Sequence, residues 1–264
     1  MILNWFVRHK RFGRFKSAFD RRTLPVRDLG SFPKTIHIYW HQGFADAPEL
    51  VTACIASWED RNPTWSIQLW DGTAADQLVS RSSVPADLKI TPYSDILRTE
   101  ILKQHGGVWA DATVYCTRAL DSWLLQIMCQ TDFFAFSRPG PDRAIASWFL
   151  AARPNSTIVT ELSRAVARFW SSQEKPTRVY HWFQYIFEYL ERTSPSFRRA
   201  WETAPRIAAE PILYLQLRLT GAKARVADEA DFLKALPMHK LSHKVSIDLE
   251  EVERLLAEVQ HASA

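Results

Sequence analysis

Hydrophobic and polar positions alternate in two short stretches near the start of the chain and follow helical spacing between them. Residues 34–40 (KTIHIYW) and 65–71 (WSIQLWD) alternate and are rich in β-branched and aromatic residues, so each predicts a strand. Residues 46–60 are periodic, with Asp46 as the expected cap and Pro48 in the first turn, which predicts a helix. Strand, helix and strand in this order favour a mostly parallel sheet with helices on both faces.

The pattern predicts further elements along the rest of the chain. Strands are expected at 108–115 and 132–139, and helices from Ser94 to Gly106-Gly107, in two segments of 144–170 interrupted at 153–155, at 179–192 and at 246–260. In such sheets ligands bind at the carboxyl ends of the strands, where Trp40, Asp71 and Asp111 would emerge. For Asp71-Gly72 a simple turn is the plainer interpretation.

One stretch, 93–121, combines a helix end, a glycine turn and a strand that carries a carboxylate. Asp95 and Arg98 share one helix face, and Asp111 follows the glycines. An aspartate offers hard oxygen ligands to a cation, an arginine grips phosphate or sugar oxygens, and the glycines allow close backbone approach. The combination predicts a site for a diphosphate and a divalent cation. An ordinary helix–glycine–strand connection with a surface ion pair remains the alternative.

The motifs SDILR (94–98) and GGVWADAT (106–113) carry a resemblance. In this order they resemble the donor-site core of glycosyltransferase family 32 and of the related bacterial capsular polysaccharide synthesis proteins, and they are similar to the glucosyltransferase domains of large clostridial toxins. The resemblance implies an α/β fold of the GT-A type, with a Rossmann-like mixed, mostly parallel sheet flanked by helices. It also implies a nucleotide-sugar donor, a UDP-sugar before a GDP-sugar, and transfer with retention.

The resemblance implies roles residue by residue. Asp95, Arg98 and Asp111 are the predicted catalytic residues: Asp95 holds sugar hydroxyls, and Arg98 contacts the sugar or the leaving phosphate. Asp111 is the first acid of an Asp-x-Asp motif, and Ala110 and Thr113 lie beside the donor. Thr113 replaces the second acid, and a neutral hydroxyl binds divalent cations less well than a carboxylate. The resemblance thus implies a Mn²⁺ or Mg²⁺ cofactor. The threonine at position 113, by contrast, predicts weaker binding of that cation.

Other candidates stand on the same resemblance. Trp40 ends the phrase K-x-I-H-x-x-W and is implied to stack on the base of the donor, although a strand-end tryptophan is more often part of the core. Ser147, with Trp148, is implied to touch the transferred sugar or the acceptor. Near the C-terminus, His239 is a candidate metal ligand beside Asp111. Lys244 is a candidate partner of the leaving diphosphate. A solvated His/Lys cluster is the alternative there.

The charge of the chain is concentrated at one end. Residues 1–22 hold seven Lys/Arg and one Asp, whereas the whole chain of 264 residues has a net charge of +4, which leaves about −2 for the rest. Aromatic residues recur between these cations, so the segment predicts an amphipathic helix on an anionic membrane surface. Packing of that helix on its own domain is the alternative. A body of net negative charge argues against nucleic acid as a partner.

Composition bounds the remaining expectations. A hydrophobic content of 47% suits one α/β domain, so we expect a basic N-terminal segment and linker at 1–30 and a single domain at 31–264. Three cysteines without ligand spacing indicate neither a disulfide framework nor a zinc site. With no apolar run long enough to span a bilayer and no secretory signal, we expect a cytoplasmic protein, peripheral on the inner face of the cytoplasmic membrane.

Together these observations predict a glycosyltransferase that transfers a sugar from a nucleotide-sugar donor to a polysaccharide or lipid-linked glycan in capsule, O-antigen or other surface polysaccharide synthesis. Because Thr113 stands at the second acidic position, a catalytically degenerate, membrane-associated scaffold relative of such enzymes is the alternative.

Overall fold

The computed structural model describes residues 31–80, 84–85, 87–173, 179–223 and 225–261. The basic segment and linker predicted at 1–30 lie outside the described residues. The division of the chain into that segment and one domain therefore stays a prediction.

Seven strands and ten helices are defined within the described residues. The strands are β1 (Thr35–Tyr39), β2 (Ser66–Trp70), β3 (Gly107–Ala110), β4 (Val114–Cys116), β5 (Phe133–Gly140), β6 (Arg143–Ala152) and β7 (Met238–Lys240). The helices are α1 (Glu49–Arg61), α2 (Gly72–Leu78), α3 (Ile90–His105), α4 (Leu124–Met128), α5 (Thr157–Ser171), α6 (Trp182–Thr193), α7 (Pro195–Glu202), α8 (Tyr214–Leu219), α9 (Glu229–Ala235) and α10 (Leu249–His261). Short 3₁₀ turns occur at Leu120–Ser122 and Glu210–Leu213.

The central sheet has five strands in the order β2-β1-β3-β6-β5. β1 pairs in parallel with β2 and β3, while β6 runs antiparallel to both β3 and β5. Four of the five strands therefore point the same way, and β6 alone is reversed. This confirms the predicted fold class at the level of an α/β fold with a mixed, mostly parallel sheet flanked by helices.

Each face of the sheet is covered by its own hydrophobic cluster. Along β3, Val108 and Ala110 face a cluster that includes Trp58 of α1, whereas Trp109 faces a second cluster formed with α3, α5, α6 and α7. The alternation follows from the two-residue period of a strand. Because both faces of β3 are packed, the strand is held firmly in the core, and this fixes the position of Asp111 directly after it.

The turn between α3 and β3 depends on two glycines with positive φ, Gly106 at 65° and Gly107 at 85°. A Cβ on Gly107 would lie 2.5 Å from the carbonyl oxygen of Thr35 on the neighbouring strand, so only glycine lets β3 approach β1 here. His37 closes the same junction: its Nε2 lies 3.0 Å from the Gly106 oxygen, and its Nδ1 accepts from Trp70 Nε1 at 3.2 Å. The glycine turn is thus built into the core.

The structure corrects the expectation of a helix at the start of 144–170. Residues Arg143–Ala152 form β6, while the second predicted helix is present as Thr157–Ser171. The run AIASWFLAA is continuously apolar, and periodicity alone does not separate a buried helix from a strand covered on both faces. Trp148 therefore belongs to a strand of the central sheet.

Two predicted helix starts are also wrong. α3 begins at Ile90, with Lys89 at its N-cap, so Ser94 lies inside the helix and its hydroxyl donates to the Thr91 carbonyl. Pro92 is tolerated in the first turn because the backbone N–H it lacks would have no partner there. The N-cap of α1 is Pro48 rather than Asp46.

A small antiparallel ribbon, β4–β7, joins the C-terminal part of the chain to the site. Val114 pairs with Lys240 and Tyr115 with His239. A third hydrophobic cluster, which includes Leu241, packs α8, α9 and α10 beside this ribbon. Among the described helices, none combines the length and the apolar character that a bilayer crossing requires.

Candidate functional site

A cavity of about 700 Å³ opens beyond the carboxyl ends of β1 and β3. Its volume lies within the usual range for ligand sites, roughly 300–1,000 Å³. Its polar and charged lining comes from separate parts of the chain, and includes His41, Ser94, Asp95, Arg98, Asp111, Thr113, Arg143, Ser147, His181, Gln184, Lys240, His243 and Lys244. The position agrees with the general rule for α/β sheets, in which ligands bind at this edge.

Arg98 lies between two carboxylates in this cavity. Its Nη2 is 3.1 Å from Asp95 Oδ1, one turn earlier on α3, and 3.4 Å from Asp111 Oδ1, just after β3. The Arg98 side chain is only 4% exposed, and its guanidinium carbon lies 5.0 Å from the centre of the Trp109 ring. The helix and the strand end therefore meet through this arginine, as the sequence predicted.

Further hydrogen bonds fix the orientation of the Arg98 guanidinium. Its Nε donates to the Ser94 carbonyl at 3.1 Å, its Nη2 to Ser94 Oγ at 3.0 Å, and its Nη1 to the carbonyl of Ser147 on β6. The planar guanidinium is thus held by contacts with α3, with β6 and with the residue that follows β3. Such an arrangement presents a positive charge without reorganisation when a ligand enters.

The two carboxylates differ in environment. Burial raises the pKa of Asp95 to about 6, an effect that Arg98 opposes and the neighbouring Asp111 adds to. The side chain of Asp111 is 29% exposed, and its Oδ1 accepts from Trp109 Nε1 at 2.9 Å. Asp95 is thus an enclosed group whose charge depends on Arg98, and Asp111 is the acid that faces the open cavity.

Thr113 has a cationic partner that the motifs did not indicate. Lys240 Nζ donates to Thr113 Oγ1 at 2.6 Å and to the Leu241 carbonyl at 2.7 Å. Burial lowers the pKa of Lys240, against the attraction of Asp111, which raises it. The sequence alone does not indicate this lysine, because only the pairing of β7 with β4 brings it to position 113.

His239, the predicted metal ligand, does not reach the cavity. Its side chain is fully buried, and both ring nitrogens are without hydrogen-bond partners among the described residues. Neighbouring residues of a strand point to opposite faces, so the contact of Lys240 with Thr113 turns His239 away from Asp111. Burial without a partner lowers the pKa of His239 to about 3. The predicted metal pair of Asp111 and His239 is therefore not assembled.

Three other predicted donor-site residues do line the cavity: Trp40, Ser147 and Lys244. The Trp40 ring meets His243 edge to face, with 4.9 Å between ring centres. Ser147 Oγ accepts from Gln184 Nε2 at 3.3 Å, and Lys244 is exposed at the rim. The structure brings these residues to the space beside Asp95, Arg98 and Asp111.

Ala110 and Asp71 have structural positions instead. Ala110 is fully buried in the core cluster and does not line the cavity, whereas Ala112, two residues further on, does. The Asp71 carboxylate accepts from the backbone N–H of Ala74 at 2.8 Å and caps α2. The plainer interpretation of Asp71 as a turn residue agrees with this contact.

The donor set around Asp111 does not suit a divalent cation. No group of three or more His, Cys, Asp or Glu side chains in the described part of the chain is arranged to hold a metal. The hydroxyl that replaces the second acid already accepts a hydrogen bond from a lysine ammonium. Hard cations favour several oxygen ligands, and a fixed positive charge beside one of them opposes binding.

Comparison with solved structures gives several similar chains, and one of them is described as "PaToxG Glycosyltransferase". It is 16% identical, with a TM-score of 0.45, and the match covers 100% of this chain and 98% of that one. No curated protein matches the sequence.

Comparison with protein families gives a match over most of the chain. The family described as "Capsular polysaccharide synthesis protein" matches residues 10–258. This span includes the SDILR and GGVWADAT motifs, Lys240 and Lys244, and it confirms the capsular branch of the resemblance. The chain therefore belongs to the family of capsular polysaccharide synthesis proteins.

Proposed function

We propose that the protein is a nucleotide-sugar-dependent glycosyltransferase that acts on a polysaccharide or lipid-linked glycan in surface polysaccharide synthesis. Membership of the capsular polysaccharide synthesis family supports a glycosyltransferase. The observation that carries the proposal is the placement of Arg98 between Asp95 and Asp111 in a cavity of about 700 Å³. A rigid cation beside two acids suits a ligand that has both an anionic diphosphate and sugar hydroxyls.

The donor is proposed to lie across the carboxyl ends of β1 and β3. Trp40 offers a ring for the base, uracil in preference to guanine, and such stacking is worth about 1–3 kcal/mol per base. Lys244 at the rim and Lys240 deeper in the cavity are the cations for the diphosphate. Asp95, enclosed beside Arg98, orients the transferred sugar through its hydroxyls.

In the transfer step the acceptor oxygen bonds to the anomeric carbon as the bond from that carbon to the β-phosphate oxygen breaks. The leaving diphosphate takes the electron pair, and the cations of the cavity stabilise the charge that develops on it. Asp95 and Asp111 are both paired with Arg98, and the resemblance implies no enzymatic nucleophile. We therefore favour transfer with retention by front-face substitution, in which the leaving phosphate accepts the proton of the acceptor hydroxyl.

The acceptor is proposed to enter along the wall formed by β5, β6 and α6. Tyr180, which is 73% exposed, lies there with His181 and Gln184. An exposed ring beside hydrogen-bonding side chains suits a sugar, which has apolar faces and a polar edge. Gln184 donates to Ser147, so this wall is linked to the backbone that holds Arg98.

The test is hydrolysis and transfer with a panel of UDP- and GDP-sugars. Release of nucleoside diphosphate by the wild type, with the anomeric configuration of the product followed by NMR, would support the proposal. A protein that binds these donors without any turnover, with glycan or lipid-linked acceptors present, would instead indicate the degenerate scaffold. Failure to bind any nucleotide sugar would overturn the proposed function.

A further inference from the structure

The contact between Lys240 and Thr113 lies where the Asp-x-Asp motif of the resemblance has its second acid. Lys240 Nζ is 2.6 Å from Thr113 Oγ1, and Leu241 N donates to the Thr113 carbonyl at 2.8 Å. The β4–β7 pairing, in which Val114 faces Lys240, holds the two residues in register. The ammonium is therefore fixed by backbone structure and not by a flexible surface loop.

A divalent cation at this place would find few oxygen ligands. Thr113 Oγ1 already accepts a hydrogen bond from Lys240 Nζ, and Asp111 Oδ1 accepts one from Trp109 Nε1 and lies 3.4 Å from Arg98 Nη2. His239 is buried on the other side of the ribbon. A second cation next to the fixed ammonium is repelled, and this repulsion is stronger in a partly enclosed cavity than in water.

The cavity itself supplies the charge that a metal would bring. Its lining contains four cationic side chains, Arg98, Arg143, Lys240 and Lys244, and two carboxylates, Asp95 and Asp111. Within this lining the cations outnumber the carboxylates by two, while Asp142, outside the lining, pairs with Arg143 at 3.2 Å. A nucleotide sugar carries one negative charge on each of its two phosphates, and this excess of cations favours its binding without a metal.

We propose that the Lys240 ammonium, held by Thr113, takes the place of the divalent cation, so that this protein binds the diphosphate of its donor without metal. The inference rests on the glycosyltransferase function proposed above. It assigns a diphosphate-binding role to Lys240 and explains why a hydroxyl suffices at position 113: Thr113 positions a lysine and does not ligate a metal.

The first test is isothermal titration of UDP and GDP into the full-length protein, with EDTA and then with Mn²⁺ or Mg²⁺. We expect the preferred nucleotide to bind in EDTA, with its affinity changed less than about threefold by metal. This measurement on the wild type does not depend on whether any variant folds. Binding that requires metal would overturn the inference and leave the proposed function standing. Absence of binding under every condition would count against the proposed function itself.

The second test compares variants in EDTA. Lys240→Met removes the charge but keeps an unbranched side chain, and we expect a loss of affinity of about 10- to 100-fold, as for a hydrogen bond to a charged group. Lys240→Arg retains the charge and is expected to keep most of the affinity. Lys234→Met, in a lysine of α9 that does not line the cavity, is the matched control and is expected to match the wild type. Equal affinity of Lys240→Met and wild type would overturn the inference.

The third test exchanges the protein cation for a metal. In the double variant Thr113→Asp and Lys240→Met, position 113 regains a carboxylate and the competing ammonium is gone. We expect Mn²⁺ to raise its affinity for the nucleotide at least about tenfold, while the wild type shows no such response. Circular dichroism and thermal melting confirm that the variant is folded. If the double variant is folded and its nucleotide affinity does not change with Mn²⁺, the roles assigned to Thr113 and Lys240 are contradicted.

Discussion

Arg98 Nη2 lies 3.4 Å from Asp111 Oδ1, although the two residues belong to a helix and to the end of a strand. Asp95 holds the same guanidinium from the other side at 3.1 Å. Two acids and one arginine thus form one charged cluster, enclosed at Asp95 and Arg98 and open to the cavity at Asp111, so a change in one member alters the electrostatic environment of the others.

Asp111→Asn removes the open carboxylate while keeping its shape, so we predict a loss of kcat of about 10²–10³-fold with little change in stability. Arg98→Lys, which keeps the charge but loses the planar fork, is expected to lose a similar factor. Steady-state donor hydrolysis and urea unfolding measure both. Normal rates in both variants would rule out this site.

Arg98→Ala is expected to change stability as well as activity. It leaves Asp95 buried without its partner, and breaking a buried pair in this way costs about 3–5 kcal/mol when the remaining group stays charged. The loss should shrink in the double variant with Asp95→Asn, because the unpaired charge is then gone. The measurement is the free energy of unfolding at neutral pH of Arg98→Ala and of the double variant with Asp95→Asn. Equal losses would show that Asp95 contributes no buried charge.

The raised pKa of Asp95, about 6, predicts an acidic limb in the rate profile. If the carboxylate form orients the sugar, kcat/KM falls as the pH drops through about 6, where an ordinary aspartate would remain ionised. Arg98 and Asp111 are the charged groups that face it. In the Asp95→Asn variant, kcat/KM is expected to be lower at neutral pH and not to fall as the pH drops through about 6. A limb that survives in the variant would have to come from another group.

His37 predicts acid sensitivity of the fold. Its pKa is lowered from 6.5 to about 4, chiefly by burial, against the hydrogen bond to the Gly106 carbonyl. The folded state therefore resists protonation, so its stability is full above about pH 6.5 and falls as the pH is lowered toward 4. Linkage gives a loss of about 2 kcal/mol between pH 7 and pH 5 for one such group. Urea unfolding should show a smaller loss over this range in His37→Gln than in the wild type.

His239→Leu tests whether this residue belongs to the site. Its ring nitrogens are buried without partners among the described residues, and an unsatisfied buried group costs about 1–3 kcal/mol. An apolar residue of similar reach is therefore expected to be neutral or stabilising. Nucleotide affinity, with and without Mn²⁺, is expected to equal that of the wild type. Weaker binding in the folded variant would return His239 to the list of site residues.

Deletion of residues 2–22 tests the predicted membrane segment, which holds seven Lys/Arg and one Asp. We expect the truncated protein to lose binding to anionic liposomes and to keep donor hydrolysis, because the cavity lies entirely within the described residues. Neutral liposomes are the control, since an electrostatic attachment requires anionic lipid. Unchanged binding to anionic vesicles would contradict the interfacial helix.

The sequence by itself determined the local part of this protein. Apolar periodicity predicted α1, α5 and most of α3. The two glycines marked the end of α3, and SDILR with the acid after GGVWA identified three residues that the structure brings together. These signals are local: a helix face or a glycine turn is fixed by residues a few positions apart.

Only the tertiary structure decided which distant residues complete the cavity. The run AIASWFLAA is a strand because both of its faces are covered, and coverage is a property of the packed chain. β4 and β7 are more than one hundred residues apart in sequence. Their pairing makes Lys240, and not His239, the neighbour of Thr113. Side chains alternate along a strand, so a shift of one residue in register would have exchanged the two.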